Sequence, residues 1–170
     1  MQTMLRAQPY DTSAIGFYFQ SLEEYTTKSG TLLNAYGHKV EEFEIQFIDG
    51  ELGELFNACG INQANIDVWF NPLKSLDQHE QIALFYLMSN GICKDLEQAF
   101  EKLDDVSFSE CCLRDAAEEL FDECYLHKAP EIVRNYIDYE AFARDCDLGG
   151  DFSEFVYRGT TYTCTNANSI

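Results

Sequence analysis

Alternating apolar and polar positions predict strands near both ends of the chain. In the segment 42–48, aromatic and aliphatic residues alternate with Glu and Gln, so this strand has one core face and one wet, acidic face. Residues 15–19 alternate in the same way. The segment 155–163 reads as two short strands around Arg158-Gly159, which is typical of a hairpin.

Apolar residues at steps of three and four predict helices through most of the remaining chain. Ser-x-x-Glu or Ser-x-x-Gln sequences beginning at Ser21 and Ser75 resemble capping boxes, and Pro130 and Asp138 suit helix starts. The predicted helices cover 21–28, 76–91, 92–103, 110–126, 130–136 and 138–146. Mixed strands and helices without β-α-β alternation argue for an α+β fold.

The chain is strongly acidic. Its 170 residues include 30 Asp and Glu against 11 Lys and Arg, which gives a formal net charge of −19 and a sequence pI near 4.2. Residues 1–40 carry three acids and three bases, 41–90 nine acids and one base, and 91–154 18 acids and six bases. Such a field repels nucleic acid and anionic lipid, so we expect neither as a partner and predict a basic macromolecule instead.

No feature predicts secretion, a membrane span or a disulfide framework. No apolar run approaches the roughly 18 residues that a membrane helix needs, and the first residues lack the apolar core of a signal peptide. The seven cysteines form an odd set without repeated spacing. We therefore expect reduced, mostly buried thiols and a cytoplasmic protein.

Catalytic and metal-binding motifs are missing as well. The segment 145–151 resembles a calcium loop, but Val156 occupies the twelfth position, where the loop requires a bidentate Glu. The three histidines lie far apart, and no nucleophile-elbow, zincin, P-loop or dinucleotide motif occurs. These patterns predict a protein that is not an enzyme and holds no cofactor and no metal.

The polar face of the predicted helix 110–126 carries five acids on one side, namely Asp115, Glu118, Glu119, Asp122 and Glu123. Arg114 is the one nearby cation, and no Glu-to-Lys pair four residues apart relieves the repulsion. Acids one turn apart lie about 5–6 Å from each other, whereas one DNA strand carries a charge about every 3.4 Å. The acidic stripe is therefore either a solvated helix face or an imitation of a phosphate backbone.

The segment 135–152, NYIDYEAFARDCDLGGDF, resembles the C-terminal signature of the ArdA antirestriction proteins. Upstream, GFYF at 16–19, EFEIQFID at 42–49 and LGEL at 52–55 are similar to the same family, in the same order. Residues 1–40 depart from it because they are electrically neutral. The segment 58–71 has no clear counterpart.

This resemblance implies an elongated chain of three small α+β domains. We place them at 1–51, 52–103 and 104–170, with the middle one mainly helical and the last one carrying the signature and a homodimer interface. The family imitates DNA and occupies the DNA groove of type I restriction–modification enzymes, without catalysis or cofactor, and its members are typically carried on plasmids, conjugative transposons or phages. The rival hypothesis is an acidic protein that binds another basic nucleic-acid-binding protein.

The predicted site combines the stripe with the signature. The partner-binding acids are Asp115, Glu118, Glu119, Asp122, Glu123, Glu131, Asp138, Glu140, Asp145 and Asp147. The signature residues, expected to form scaffold or dimer surface, are Asn135, Tyr136, Ile137, Tyr139, Phe142 and Arg144. Tyr136, Tyr139 and Phe142 step by three, as core residues of one helix face would.

Overall fold

The computed structural model describes residues 3–126 and 130–170, without the side chains of Glu131 and Arg134. The chain divides into two compact units, Met1–Ser89 and Asn90–Ile170. Each contains a three-stranded antiparallel sheet and several helices, so the predicted α+β class is confirmed. The three-domain division with boundaries near 51 and 103 stays a prediction.

The first unit builds its sheet from strands that are far apart in sequence. Its elements are β1 (Met4–Pro9), β2 (Phe17–Phe19), α1 (Leu22–Thr31), β3 (Phe43–Asp49), α2 (Gly53–Ala58), α3 (Ile66–Val68), a π-helical turn (Trp69–Leu73) and α4 (Gln78–Ser89). The strand order is β2-β1-β3, with Leu5 opposite Phe19 and Phe47. The central strand is thus β1, which the pattern analysis missed.

The prediction of a strand over 15–19 is correct only for its second half. Gly16 passes so close to β1 that a Cβ there would lie 2.6 Å from the Ala7 carbonyl oxygen, and the ladder begins at Phe17. Ile15 precedes this approach and is 85% exposed.

The core of the first unit joins its sheet to its helices through aromatic side chains. Phe47 of β3, Phe56 of α2 and Trp69 contact one another with ring centroids 5.1–6.1 Å apart. Tilted and edge-on arrangements of this kind add to the free energy gained from burial. Trp69 is completely buried.

The second unit pairs a short sheet with a helical hairpin. Its elements are α5 (Leu96–Glu101), a 3₁₀ turn (Leu103–Asp105), β4 (Phe108–Ser109), α6 (Leu113–Cys124), α7 (Glu131–Arg134), α8 (Tyr139–Leu148), β5 (Ser153–Tyr157), β6 (Thr160–Cys164) and a 3₁₀ turn (Ala167–Ser169). The strand order is β4-β6-β5. Arg158 and Gly159 both have positive φ, as a two-residue hairpin turn requires, so the predicted hairpin is confirmed.

Capping side chains predicted the starts of α1 and α8 correctly, whereas the helix predicted from residue 92 begins at Leu96, where Asp95 caps α5. Ser21 caps α1 and Asp138 caps α8. Each side chain accepts a hydrogen bond from the backbone N–H of the residue three positions later. The box predicted at Ser75 is wrong: Asp77 and Glu80 exchange side-chain-to-backbone hydrogen bonds instead, and α4 begins at Gln78. The carboxylates compete better than the serine hydroxyl for the free N–H groups.

All seven cysteines lie in the described part of the chain, and all are free. Four are buried, namely Cys59, Cys93, Cys146 and Cys164. Burial raises the pKa of the Cys59 thiol to about 12. A thiol in that environment stays protonated and unreactive near neutral pH.

Candidate functional site

Helix α6 positions the acidic stripe. The start of α6 is fixed by a side chain from another element of the second unit. The N-cap residue Cys112 makes no side-chain capping bond. Instead, the Leu113 N–H donates to Oε2 of Glu154 on β5, at 2.7 Å. A carboxylate at a helix N-terminus also interacts favourably with the helix dipole. The 12 residues of α6 make a rod about 18 Å long.

One face of α6 packs on α8 and leaves the acids outside. Ala116 and Ala117 form a core cluster with Ala143, Cys146 and Phe152. The small side chains of Ala116, Ala117 and Ala143 allow the two helices to pack closely, and the acids lie on the other side of α6. The predicted apolar face extends too far, however, because Cys124 and Tyr125 at the end of the helix are exposed.

The five stripe acids lie on the solvent side of α6. Asp115, Glu119 and Glu123 are exposed, and Glu118 and Asp122 are half-buried. At 100° per residue, Glu118 and Asp122 lie toward one border of the stripe and Glu119 and Glu123 toward the other. The two borders have different neighbours.

The border next to α8 is partly neutralised, which corrects the expectation that repulsion in the stripe is unrelieved. The Arg114 guanidinium lies 3.5 Å from carboxylate oxygens of Asp115 and Glu118 and 3.1 Å from Oε1 of Glu140 on α8. All four side chains are substantially exposed, so these pairs stabilise the fold by at most about 1 kcal/mol each. Their main effect is to orient three carboxylates around one cation.

A second contact joins the same border to the signature segment. The Tyr139 hydroxyl donates to Oδ1 of Asp122 at 2.7 Å. The Tyr139 ring packs edge-on against Phe121, which also contacts Phe142 at a centroid distance of 5.0 Å. Tyr139 and Phe142 therefore pack between α6 and α8, and their assignment to scaffold or dimer surface stays a prediction.

The remaining predicted acids have different surroundings. Asp138 is exposed, and its Oδ1 accepts the Ala141 N–H as the cap of α8. Asp145 and Asp147 are exposed along α8. The side chain of Glu131 lies outside the described part of the structure.

The signature contains an exposed apolar surface as well as packed residues. Tyr136 is 83% exposed, so its prediction as a core residue is wrong; it lies in the turn after α7, outside the helix that carries Tyr139 and Phe142. Ile132 and Val133 on α7 are 65% and 40% exposed. We call Ile132, Val133 and Tyr136 the apolar surface of the second unit. Of the other signature residues, Ile137 is half-buried, whereas Asn135 and Arg144 are exposed.

Sequence reasoning missed Asp151, which lies beside the far border of the stripe. Together with Glu119 and Glu123, it lines a pocket of about 410 Å³. Asp151 directly follows the glycines that end α8, within the signature. That position was visible in the sequence, but its closeness to α6 depends on how α8 folds back.

The described residues also bear on metal binding and membrane spanning. No group of three or more His, Cys, Asp or Glu side chains in 3–126 and 130–170 is arranged to hold a metal ion. No helix within these residues combines the length and the apolar character of a membrane span.

Comparison with known proteins gives one positive result. A family model described as antirestriction protein (ArdA) matches residues 9–160, which is nearly the whole chain. The match includes β2, β3, the acidic stripe and the signature segment. A comparison with curated proteins finds no match.

Proposed function

The chain belongs to the ArdA family of antirestriction proteins, and from this premise we propose that it inhibits type I restriction–modification enzymes by occupying their DNA-binding groove. The family is an antirestriction family and not a known enzyme family. We accordingly propose a binding protein without catalysis. Because the proposed partner acts on DNA inside the cell, we place the protein in the cytoplasm.

The exposed acids of α6 and α8 are the observation that supports DNA mimicry. Asp115, Glu119 and Glu123 project from α6, and Asp145 and Asp147 from α8. Packing between the two helices fixes the relative positions of the backbone segments from which these side chains project. Basic residues that normally meet phosphates would meet carboxylates already held in place, which lowers the entropic cost of association.

Electrostatic binding of this kind has a recognisable salt dependence. The attraction is spread over many partly exposed charges, so it weakens steeply as salt screens them. The same mechanism makes inhibition independent of DNA sequence, since the protein presents charge and no bases. Neither property is expected of an inhibitor that binds away from the DNA groove.

A competition experiment tests the proposal. A purified type I enzyme is saturated with a fluorescent duplex, and the protein is added at increasing concentration while anisotropy is followed. We expect complete displacement of the duplex, for several duplex sequences, at concentrations that rise with salt. If the duplex stays bound at large excess with several type I enzymes, the proposal fails and another basic nucleic-acid-binding protein becomes the better partner.

We also propose that the protein is a homodimer through its second unit. Two chains of charge −19 repel each other, so their interface must gain free energy from apolar burial. The apolar surface of the second unit can be buried in such an interface, because the side chains of Ile132, Val133 and Tyr136 are exposed. Light scattering at micromolar concentration should give a dimer mass, and a monomer mass would contradict the proposal.

A further inference from the structure

The far border of the acidic stripe opens into the pocket of about 410 Å³, which the proposed function leaves without a specific role. The pocket lies within the second unit, and it has an apolar floor and an acidic rim. The floor residues are Ala116, Leu120 and Phe152, and the rim carboxylates belong to Glu119, Glu123 and Asp151.

The fold fixes the backbone positions of the three rim residues. Glu119 and Glu123 are one turn apart on α6, on the same side of the helix. Asp151 is held by its backbone, whose N–H donates to Cys146 and whose carbonyl accepts from Ala167, and its Oδ1 accepts from the Asn168 amide. Three carboxylates thus line one opening, and the side chain of Asp151 is also held by the Asn168 amide.

The charge of this border differs from that of the Arg114 border. No ion pair of Glu119, Glu123 or Asp151 with a described cation is found, whereas Arg114 lies within 3.5 Å of three acids on the other side. The strongest demand for an external positive charge in the described part of α6 is therefore at the pocket.

An apolar floor below a negative rim fits a side chain that is apolar along its stem and cationic at its end. Lysine and arginine both have that form. The planar guanidinium has five N–H donors and binds carboxylates in a fork, so one arginine can bridge several of the rim oxygens. An ammonium group would satisfy fewer of them.

We propose that this pocket receives an arginine side chain from the DNA-binding surface of the inhibited enzyme. This inference rests on the proposed function for the identity of the enzyme, but the pocket can be tested without it. Arginine would enter with its stem against Leu120 and Phe152 and its guanidinium at the rim. The partner's other basic residues would meet the remaining exposed acids less specifically.

The first test uses the protein alone. L-argininamide is titrated at constant ionic strength while backbone amide shifts are followed by NMR, with L-citrullinamide as the matched control because its side chain has similar shape without the guanidinium charge. We expect saturable shifts centred on Glu119, Glu123 and Asp151 with argininamide only. Equal shifts with citrullinamide, or shifts spread over all acids without saturation, would overturn the proposal.

The second test compares two double variants of equal charge change on the same helix. E119Q/E123Q removes the pocket rim, and D115N/E118Q removes two acids of the Arg114 border. We expect the pocket variant to lose at least tenfold more affinity for a type I enzyme, and to lose argininamide binding that the other variant keeps. Equal losses of affinity would mean that the acids attract the enzyme without a specific pocket, which would contradict the inference. If the wild type fails to displace duplex, the proposed function is wrong, but the NMR result on the pocket remains valid.

Discussion

Two acids of the first unit, Asp11 and Glu24, bind neighbouring groups of the same chain, whereas Glu119 and Glu123 of α6 in the second unit are exposed and line the pocket. Asp11 accepts hydrogen bonds from the backbone and hydroxyl of Ser13 and from Asn34. Glu24 pairs with Lys28 and accepts the Gln20 N–H. The Ser13 bonds and the Lys28 bond hold the pKa values of Asp11 and Glu24, respectively, below the ordinary range.

The contrast separates two uses of a carboxylate. An acid that closes a turn or caps a helix forms its hydrogen bonds within the fold. It therefore contributes little to the negative electrostatic potential outside the protein. An acid without such bonds leaves its charge for a partner. The stripe contains both kinds, because Asp122 accepts from Tyr139 while Glu119 and Glu123 line the pocket. The net charge of the chain therefore overstates the negative charge that is available to a partner.

The largest expected effect comes from neutralising the whole stripe. Changing its five acids to Asn or Gln should weaken inhibition by about 100-fold, since exposed charge pairs are worth roughly 0.2–1 kcal/mol each. The matched control neutralises five exposed acids of the first unit, namely Glu41, Glu42, Glu44, Asp49 and Asp67. Both variants have the same net charge, and equal inhibition by the two would show that only total charge matters. Duplex displacement measures both.

The second prediction concerns exposed apolar residues, which both units possess. I132S/Y136S should convert the dimer to monomer at micromolar concentration, because these side chains provide the apolar burial that offsets charge repulsion. I15S/Y36S removes residues of similar exposure, 85% and 78%, from the first unit and should leave the dimer intact. Light scattering measures the mass of both variants. If I15S/Y36S dissociates the dimer, the interface lies in the first unit instead.

The secondary structure shows which parts of the fold could be predicted from the sequence and which could not. Helix α8, the hairpin at Arg158-Gly159 and strand β3 depend on local patterns and were predicted. Strand β1 was missed because Ala7 and Pro9, which lie at its buried positions, have low strand propensity, although β1 is the centre of its sheet. Its strand character depends on pairing with β2 and β3, which no short window reveals.

The candidate site was predictable in its residues and not in its arrangement. Helical spacing alone placed the five acids on one face of α6. The Arg114–Glu140 pair and the Tyr139–Asp122 hydrogen bond depend on α8 packing against α6. The contact of Glu154 with the start of α6 spans 41 residues and has no sequence signal.

The third prediction isolates the Tyr139–Asp122 contact. Y139F removes one hydroxyl and should lower the free energy of unfolding by about 0.5–1.5 kcal/mol, the usual net value of a hydrogen bond. Y136F removes a hydroxyl from the exposed turn and should change it by less than about 0.5 kcal/mol. Urea unfolding provides the comparison. An unaffected Y139F would mean that aromatic packing alone joins the signature to the stripe.

The smallest effect concerns pH. Because the folded pKa of Asp11 is below its ordinary value of 3.8, its contribution to stability is present above that value and is lost as pH falls through the folded pKa. D11N should therefore melt at a lower temperature than wild type at pH 6, with the difference shrinking toward pH 2.5. Parallel curves for D11N and wild type would contradict the assignment.

The central claim is that this protein and DNA compete for one groove, and calorimetric titration of a type I enzyme tests it most directly. The enzyme is titrated with the protein at several fixed concentrations of duplex and constant salt. Competition for one groove predicts an apparent Kd that rises in proportion to free duplex over at least a 100-fold range, without a plateau. A Kd that levels off, or that does not change with duplex, would place the binding site outside the groove.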